Sequence, residues 1–342
     1  MARQPEWHVE VLPGLEEAAA DELAALAGAV PPAVRSPGEG VLRATGMPQA
    51  EIESARRVVA VYLVVHVDVP RPRGLLGHQH LTRIAREARA VTAGRRFDGL
   101  RIVAAGAGSP VMTRLGEALA AELGLRHDPE GGDLVVRVVR DPARTGWEAQ
   151  VRTTPRPLGA RPWRVSRFPG SLNATIAAHM VGLARPRPGG RALNLLCGAG
   201  TLAIEHLLAD PAGSAVGVDL DGRRALPAAI ANAAAAGVAR RLSLVRADAT
   251  RLPLPADWAP VLYADLPYGD KVRATTPPEA LYAGLLAEAA RVAQPRARLV
   301  AVTEDIARFE RAVRDSRSWR VAERQRVFQS GHRPQITLLV RA

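Results

Sequence analysis

The second half of the chain alternates between short apolar runs and helical stretches, and this alternation constrains the fold more than any other feature. Beyond residue 190, candidate strands such as Ala192–Leu196, Ala215–Asp219 and Val261–Asp265 are separated by alanine- and leucine-rich helical segments. This alternation predicts an α/β domain with a parallel sheet and helices on both faces. Two last candidate strands, near 321–328 and 335–341, predict an antiparallel hairpin at one sheet edge.

The first 155 residues follow a different pattern, with two α+β stretches of similar size. Residues 1–70 have the order strand–helix–strand–strand–helix–strand, which is that of a ferredoxin-like fold. Prolines and arginines are concentrated in 156–170, a composition that is typical of a linker. We therefore predict a ferredoxin-like domain at 1–70, a second α+β module at 71–155, a basic linker at 156–170 and the α/β domain at 171–342.

Composition excludes several classes of protein. The chain carries one cysteine, Cys197, so it cannot form an intramolecular disulfide or a multi-cysteine zinc site. The longest uncharged apolar run, Val58–Val67, is half the ~20 residues that a membrane-spanning helix needs, and nothing at the N-terminus resembles a secretory leader. A formal net charge of +12 favours a polyanionic partner. We expect a cytoplasmic, monomeric protein with no bound metal.

The first strand of the α/β domain leads into a glycine loop, Asn194-Leu195-Leu196-Cys197-Gly198-Ala199-Gly200-Thr201, and then a helix. Glycines let the backbone approach a ligand closely, and a helix N-terminus offers free N–H groups. Asp219 follows Gly198 by 21 residues, at the end of the next strand, where a carboxylate can accept hydrogen bonds from an adenosine ribose. The loop and this acid alone fit an NAD site equally well.

Two further acidic residues favour a different chemistry. Asp248 follows the third strand, where it could accept a hydrogen bond from an adenine amino group. The segment Asp265-Leu266-Pro267-Tyr268-Gly269 follows the fourth strand directly. A carboxylate and a backbone carbonyl there suit an exocyclic amino group, and the tyrosine ring suits stacking on a base. This segment has no use in a dehydrogenase and favours methylation of an amino group.

With these motifs the chain resembles the THUMP-domain RNA methyltransferases, the group that forms N2-methylguanosine in tRNA. The resemblance extends over nearly the whole chain. It includes Val11–Glu16, the helix start at Pro169–Ala178 and the closing hairpin at Gly331–Leu338. It implies a Rossmann-like S-adenosylmethionine (SAM) domain at 171–342 and an RNA-binding THUMP domain at 71–155.

The resemblance also implies the site residues. The implied catalytic residues are Asp265, Pro267 and Tyr268. The implied SAM-binding residues are Asn173, Thr175, Asn194, Cys197, Gly198, Gly200, Thr201, Asp219, Leu220, Asp248, Ala249 and Asp265. Relatives often have aspartate at position 194 and proline at 266, so we expect a lower SAM affinity here and leave the target guanosine open.

The basic residues are unevenly distributed, because 151–189 contains seven arginines and no acidic residue. Such a stretch could neutralise several phosphates. The expected RNA contacts are Arg152, Arg156, Arg161, Arg164, Arg167 and Lys271. Glu205 is expected either to face the cofactor loop or to be solvated.

The sequence thus leads to one hypothesis with alternatives. The hypothesis is methyl transfer from SAM to the exocyclic N2 of a flipped-out guanosine in the acceptor stem of tRNA. The first alternative is the same chemistry on ribosomal RNA or at another tRNA position. The second is an RNA-binding protein whose methyltransferase domain has decayed, and the third is an NAD-dependent enzyme.

Overall fold

The computed structural model describes residues 4–28, 32–142, 144–267, 277–329 and 331–342. The chain forms two compact units, each with its own sheet. The first unit comprises Met1–Val11 and Glu16–Gly159, and the second comprises Leu12–Leu15 and Ala160–Ala342. None of the helices in these described ranges is long and apolar enough to cross a membrane.

The first unit is built on an eight-stranded sheet with the order β2-β3-β1-β4-β8-β7-β5-β6. Its strands are β1 (Glu6–Val11), β2 (Ala33–Gly38), β3 (Val41–Thr45), β4 (Val58–Val67), β5 (Gly99–Ala104), β6 (Arg126–His127), β7 (Leu134–Arg140) and β8 (Trp147–Arg152). Its helices are α1 (Glu16–Leu26), α2 (Gln49–Ser54), α3 (His78–Thr92) and α4 (Pro110–Leu123), with a 3-10 helix at Pro72–Leu76.

Strand β4 lies at the centre of this sheet and is buried along almost its whole length. Its β-branched residues suit a strand that is covered on both faces. It pairs antiparallel with β1 on one side and with β8 on the other, where Tyr62–Val67 lies opposite Trp147–Arg152. The segments expected at 1–70 and 71–155 therefore share one sheet. Their boundaries, and the assignment of the second segment as a THUMP domain, remain predictions.

The second unit is built on a seven-stranded sheet with the order β11-β10-β9-β12-β13-β15-β14. Its strands are β9 (Arg191–Leu195), β10 (Ser214–Asp219), β11 (Leu242–Arg246), β12 (Ala259–Asp265), β13 (Ala293–Thr303), β14 (Trp319–Arg326) and β15 (Gln335–Arg341). Its helices are α5 (Ala174–Ala184), α6 (Thr201–Ala209), α7 (Ala225–Ala235), α8 (Pro278–Val292) and α9 (Ile306–Ser316). Strands β9 to β13 are parallel, and β14 and β15 form an antiparallel edge. The predicted parallel sheet with a terminal hairpin is confirmed.

Much of the expected linker belongs to the second unit, which begins again at Ala160. Trp163 is buried in its hydrophobic core. Asn232 holds the backbone of Ser166 with two hydrogen bonds, since its Oδ1 accepts from Ser166 N at 2.8 Å and its Nδ2 donates to Ser166 O at 3.1 Å. From residue 160 onward, the expected linker therefore packs as part of the second unit. Its proline and arginine content is typical of a linker, but Trp163 anchors it in the core of the second unit.

Residues Leu12–Leu15 also belong to the second unit. Leu15 is fully buried in its core, and Phe328 N donates a hydrogen bond to Pro13 O at 2.9 Å. Gly14 has φ +92°, and a Cβ there would lie 2.2 Å from the carbonyl oxygen of Arg326. Only glycine satisfies both conditions.

Candidate active site

A pocket of ≈ 290 Å³ lies where strands β9, β10 and β12 end. Open α/β sheets bind ligands at this edge, beyond the carboxyl ends of the strands. The pocket walls are the glycine loop, the start of α6, the turn after β12 and the segment 168–172. The predicted site residues in this lining are Asn194, Cys197, Gly198, Thr201, Asp219, Asp265 and Pro267.

The glycine loop turns the chain sharply from β9 into α6. Leu196, Gly198 and Gly200 have φ angles of 53°, 52° and 82°. Cys197 N donates to Val218 O at 2.8 Å and Gly200 N donates to Cys197 O at 2.8 Å, which holds the turn against β10. A left-handed leucine costs about 1–2 kcal/mol, and such local strain is typical of binding sites.

Asn194 provides an acceptor without a donor at the end of β9. Its Nδ2 donates to Leu195 O at 3.1 Å. Its Oδ1 is buried and accepts no hydrogen bond from the residues that the structure describes. A buried acceptor left without a donor costs about 1–3 kcal/mol. The amide oxygen can therefore accept a hydrogen bond from an N–H group of a ligand in the pocket.

Asp219 is held by the loop that it faces. Its Oδ2 accepts from Gly198 N at 2.8 Å, and its Oδ1 accepts from Asp221 N at 2.9 Å. A carboxylate has about four acceptor positions, so both oxygens can accept a further bond. With an acceptor position left on each oxygen, the Asp219 carboxylate can bind the two hydroxyls of a ribose.

Several predicted cofactor residues lie outside the pocket lining. Asn173 Oδ1 accepts from Thr175 N at 2.7 Å and caps α5, while Thr175 is fully buried. Asp248 is exposed, and its Oδ1 accepts from the N and Oγ1 of Thr250, both at 2.8 Å. Ala249 is buried and Leu220 is 58% exposed. Because Thr175 has no accessible surface, its burial does not favour a cofactor contact, which remains a prediction.

Cys197 lines the pocket but cannot act as a nucleophile. Burial, reinforced by the charge of Asp219, raises the pKa of its thiol well above the ordinary value. The thiol is therefore neutral at physiological pH, and a thiol acts as a nucleophile only as the thiolate. Cys197 has a packing role.

The turn after β12 is held in place by a residue that the sequence reasoning missed. Leu266 N donates to Val302 O at 2.9 Å, and the hydroxyl of Tyr282 donates to Pro267 O at 2.8 Å. Tyr282 is fully buried in α8, with its ring edge-on to Phe309. Burial raises its pKa, so the hydroxyl stays protonated. A lone tyrosine in an alanine-rich helix was the available signal.

Two of the predicted catalytic and RNA-binding residues, Tyr268 and Lys271, lie outside the described residues. Asp265 is the last residue of β12 and is half-buried in the pocket wall. The described part of the turn therefore brings together the Asp265 carboxylate and the backbone of Leu266 and Pro267.

Two of the predicted RNA-binding arginines are used inside the fold. Arg161 is 8% exposed, and its Nε donates to Glu205 Oε1 at 2.9 Å, with Glu205 at 0% exposure. Arg152 is also buried and donates to the carbonyls of Thr154, Asp133 and Pro155. The RNA contacts expected of these two residues remain predictions that their burial does not favour. The expectation that Glu205 is solvated is wrong, because the residue has no exposed surface.

The other arginines of this stretch differ in their accessibility. Arg164 is half-buried and donates to Leu172 O at 2.8 Å and to Thr201 Oγ1 at 3.2 Å. It thereby joins the segment 168–172 to the start of α6, on two sides of the pocket. Arg156 and Arg167 are exposed. Only these two remain well placed for phosphate among the predicted arginines that the structure describes.

The similarity of the chain to known proteins agrees with this geometry. A family model described as the RMKL-like methyltransferase domain matches residues 161–335. The chain belongs to this family. The matched range covers the glycine loop and the turn after β12, so the pocket described above lies within a methyltransferase domain.

Two curated proteins are similar to a part of the chain. The U6 snRNA (guanine-N(2))-methyltransferase THUMPD2 of Mus musculus is 33% identical over 102 residues, which are 30% of this chain and 19% of that protein. The corresponding THUMPD2 of Bos taurus is 32% identical over 102 residues, 30% of this chain and 20% of that protein. The chain thus matches about a fifth of the length of these curated relatives.

The fold of the whole chain also has a solved counterpart. The crystal structure of TrmN from Thermus thermophilus matches with a TM-score of 0.76 and 27% identity, covering 99% of this chain and 100% of that one. The resemblance to the THUMP-domain RNA methyltransferases is confirmed by these matches. The prediction of a Rossmann-like methyltransferase domain is confirmed with it, and so is the prediction of SAM as its cofactor.

Proposed function

We propose that this protein transfers a methyl group from SAM to the exocyclic N2 of a guanosine in tRNA, at a flipped-out base of the acceptor stem. The observation that carries the proposal is the pocket that joins Asn194, Asp219 and Asp265. Asn194 can accept from the ammonium group of SAM, Asp219 from its ribose hydroxyls, and Asp265 from the guanine amino group that receives the methyl. The guanine-N2 activity named for the THUMPD2 relatives supports the same atom as the acceptor.

The cofactor end of the pocket follows from two acceptors already described. SAM supplies, when bound, an electrophilic methyl group on a sulfonium. Asn194 Oδ1 accepts from its ammonium group, which satisfies the buried oxygen. Asp219 accepts from the ribose hydroxyls and stays oriented by Gly198 N and Asp221 N. Asn194 and Asp219 would together hold the amino-acid and ribose parts of SAM, and the methyl group that SAM supplies would be oriented by these contacts.

The acceptor end depends on Asp265 and the turn that follows it. The lone pair of a guanine amino group is delocalised into the ring and is a poor nucleophile. Hydrogen bonds from the amino group to the Asp265 carboxylate and to a carbonyl at Leu266–Pro267 orient it toward the methyl group. Asp265 then accepts the proton that is lost. The Tyr282 hydroxyl keeps the Pro267 carbonyl in position.

The choice of tRNA rests on charge and on the family resemblance. The net charge of +12 favours a nucleic acid, and the exposed Arg156 and Arg167 can contact its phosphates. A base in a stem has to leave the stack to enter a pocket of this kind, and stacking on Tyr268 would hold it there. The names of the THUMPD2 relatives favour U6 snRNA as a second candidate substrate.

The test is methylation of unmodified transcripts with labelled SAM, followed by mass spectrometry of the nucleosides. A tRNA set, a ribosomal RNA fragment and a U6 transcript are compared, and N2-methylguanosine in tRNA is expected. Asp265→Asn should abolish turnover while SAM still binds in calorimetry. Asp315→Asn, the same change at an exposed position of α9, should leave turnover unchanged. A label on another atom, or full turnover by Asp265→Asn, would overturn the proposal.

A further inference from the structure

A second, smaller pocket of ≈ 140 Å³ adjoins the first within the second unit. The two pockets share Gly170, Ser171, Leu172 and Asp265. Drug-sized ligands occupy pockets of about 300–1,000 Å³, so the second pocket suits a single heterocycle rather than a whole nucleotide. Asp265 belongs to both walls and therefore stands between a cofactor space and a space for one ring.

The remaining wall of the second pocket contains a second carboxylate. Glu304 follows directly after β13, and across from it lie Gln329 and His332 of the β14–β15 connection. Gln329 and His332 exchange two backbone hydrogen bonds of 2.9 Å, which fixes this end of the hairpin. Glu304 itself is placed by strand β13, which pairs with β12 on one side and with β15 on the other.

One oxygen of this carboxylate is left without a donor. Glu304 Oε1 is buried and accepts no hydrogen bond from the described residues. It lies 2.9 Å from His332 Nδ1, which forms an ion pair with it when the imidazole is protonated. A buried carboxylate oxygen that accepts no hydrogen bond is costly. An N–H group entering the pocket would satisfy it.

Guanine is the purine that offers two adjacent donors on one edge, the ring N1–H and the exocyclic amino group. We propose that the second pocket holds the guanine ring and that Glu304 accepts the hydrogen bond from N1–H, while Asp265 accepts from the amino group. The proposal rests on the proposed function and identifies the residue that selects guanine. In a purine whose N1 carries no proton, the N1 lone pair would face the negatively charged Glu304 oxygen. The two would repel each other, and the base would be rejected.

The first experiment uses the wild-type protein and altered RNA. In the methylated transcript, the target guanosine is replaced by 2,6-diaminopurine, which keeps the amino group at C2 but has no N1–H. Loss of one hydrogen bond to a charged group should lower kcat/KM about ten- to a hundredfold. Equal kcat/KM for the two bases would overturn the assignment of Glu304.

The second experiment changes the protein. A glutamine at position 304 can donate to N1 of 2,6-diaminopurine, so Glu304→Gln should lower kcat/KM for guanine about tenfold or more and raise it for 2,6-diaminopurine. Glu323→Gln, the same change at an exposed position of β14, should keep the wild-type preference. Glu304 does not line the first pocket, so the SAM affinity of Glu304→Gln should stay within about twofold of wild type.

The outcomes separate this inference from the proposed function. If the wild-type protein methylates no guanine N2 in any transcript, the proposed function fails and the inference fails with it. If guanine N2 is methylated but Glu304→Gln keeps the wild-type base preference, only the inference fails. A preference that shifts toward 2,6-diaminopurine in Glu304→Gln, and not in Glu323→Gln, supports both.

Discussion

Replacement of Arg161 by alanine distinguishes a structural arginine from an RNA-binding one. The guanidinium is 8% exposed and pairs with Glu205, which is 0% exposed, at 2.9 Å. The variant leaves the Glu205 carboxylate buried without this partner, and breaking a buried ion pair costs about 3–5 kcal/mol. The charge of the half-buried Arg164 also acts on Glu205, so we expect a loss near the lower end of this range.

This loss converts into a measurable change of melting temperature. In units of about 150–250 residues, 1 kcal/mol shifts Tm by roughly 2–4 °C. Arg161→Ala should therefore lower the Tm of the second unit by roughly 6–12 °C in calorimetry at pH 7. The double variant Arg161→Met/Glu205→Leu should recover most of the loss, because neither charge is then left buried.

The control is Arg156→Ala, which removes an exposed arginine from the same stretch. It should leave Tm unchanged and reduce the salt dependence of RNA binding by about one phosphate contact. The reasoning is refuted if Arg161→Ala melts within about 2 °C of wild type and also reduces that salt dependence. Arg161 would then contact phosphate.

Three further variants test the cofactor pocket and the core. Tyr282→Phe removes the hydrogen bond to Pro267 O but keeps the ring, so kcat should fall about two- to tenfold; an effect on SAM affinity alone would contradict this positioning role. Asn194→Asp places a carboxylate opposite the ammonium group and should tighten SAM binding about tenfold in calorimetry, whereas an unchanged Kd would remove residue 194 from that contact. Burial lowers the pKa of His206 to about 4, below about 6.5 in the unfolded chain. The unfolded state therefore binds the proton first, and stability should fall as pH drops below 6.5, by about 2–3 kcal/mol at pH 4.5. Urea unfolding should show this loss in wild type and not in His206→Gln, and parallel pH profiles would speak against it.

The parts of the site that the sequence predicted are those encoded within a few residues. The glycine loop around Gly198 follows strand β9, the acids Asp219 and Asp265 end strands β10 and β12, and parallel strands bring their carboxyl ends to one edge. Their gathering in one pocket follows from that rule. Asn194 was implied by the family resemblance, and its oxygen lies buried in the pocket wall without a donor among the described residues.

The parts that the sequence did not predict depend on partners far apart in the chain. Arg161 and Glu205 are 44 residues apart, and Tyr282 and Pro267 are 15 residues apart across a helix start. Composition alone makes 156–170 resemble a linker, because the anchoring role of Trp163 depends on a core formed elsewhere. The arginines of such a stretch can bind phosphates at the surface or form hydrogen bonds and ion pairs inside the fold. Only the tertiary contacts distinguish these two roles.

The segment Leu12–Leu15 has a consequence for how the protein is made. Gly14 O accepts a hydrogen bond from Gln325, 311 residues later in the chain. At about 5–20 residues per second, a ribosome needs roughly 15–60 s to synthesise the intervening chain. During that interval Leu15 has no core to enter, so the second unit is completed only when synthesis is nearly finished. A fragment that begins at residue 160 would fold around an unfilled space where Leu15 belongs.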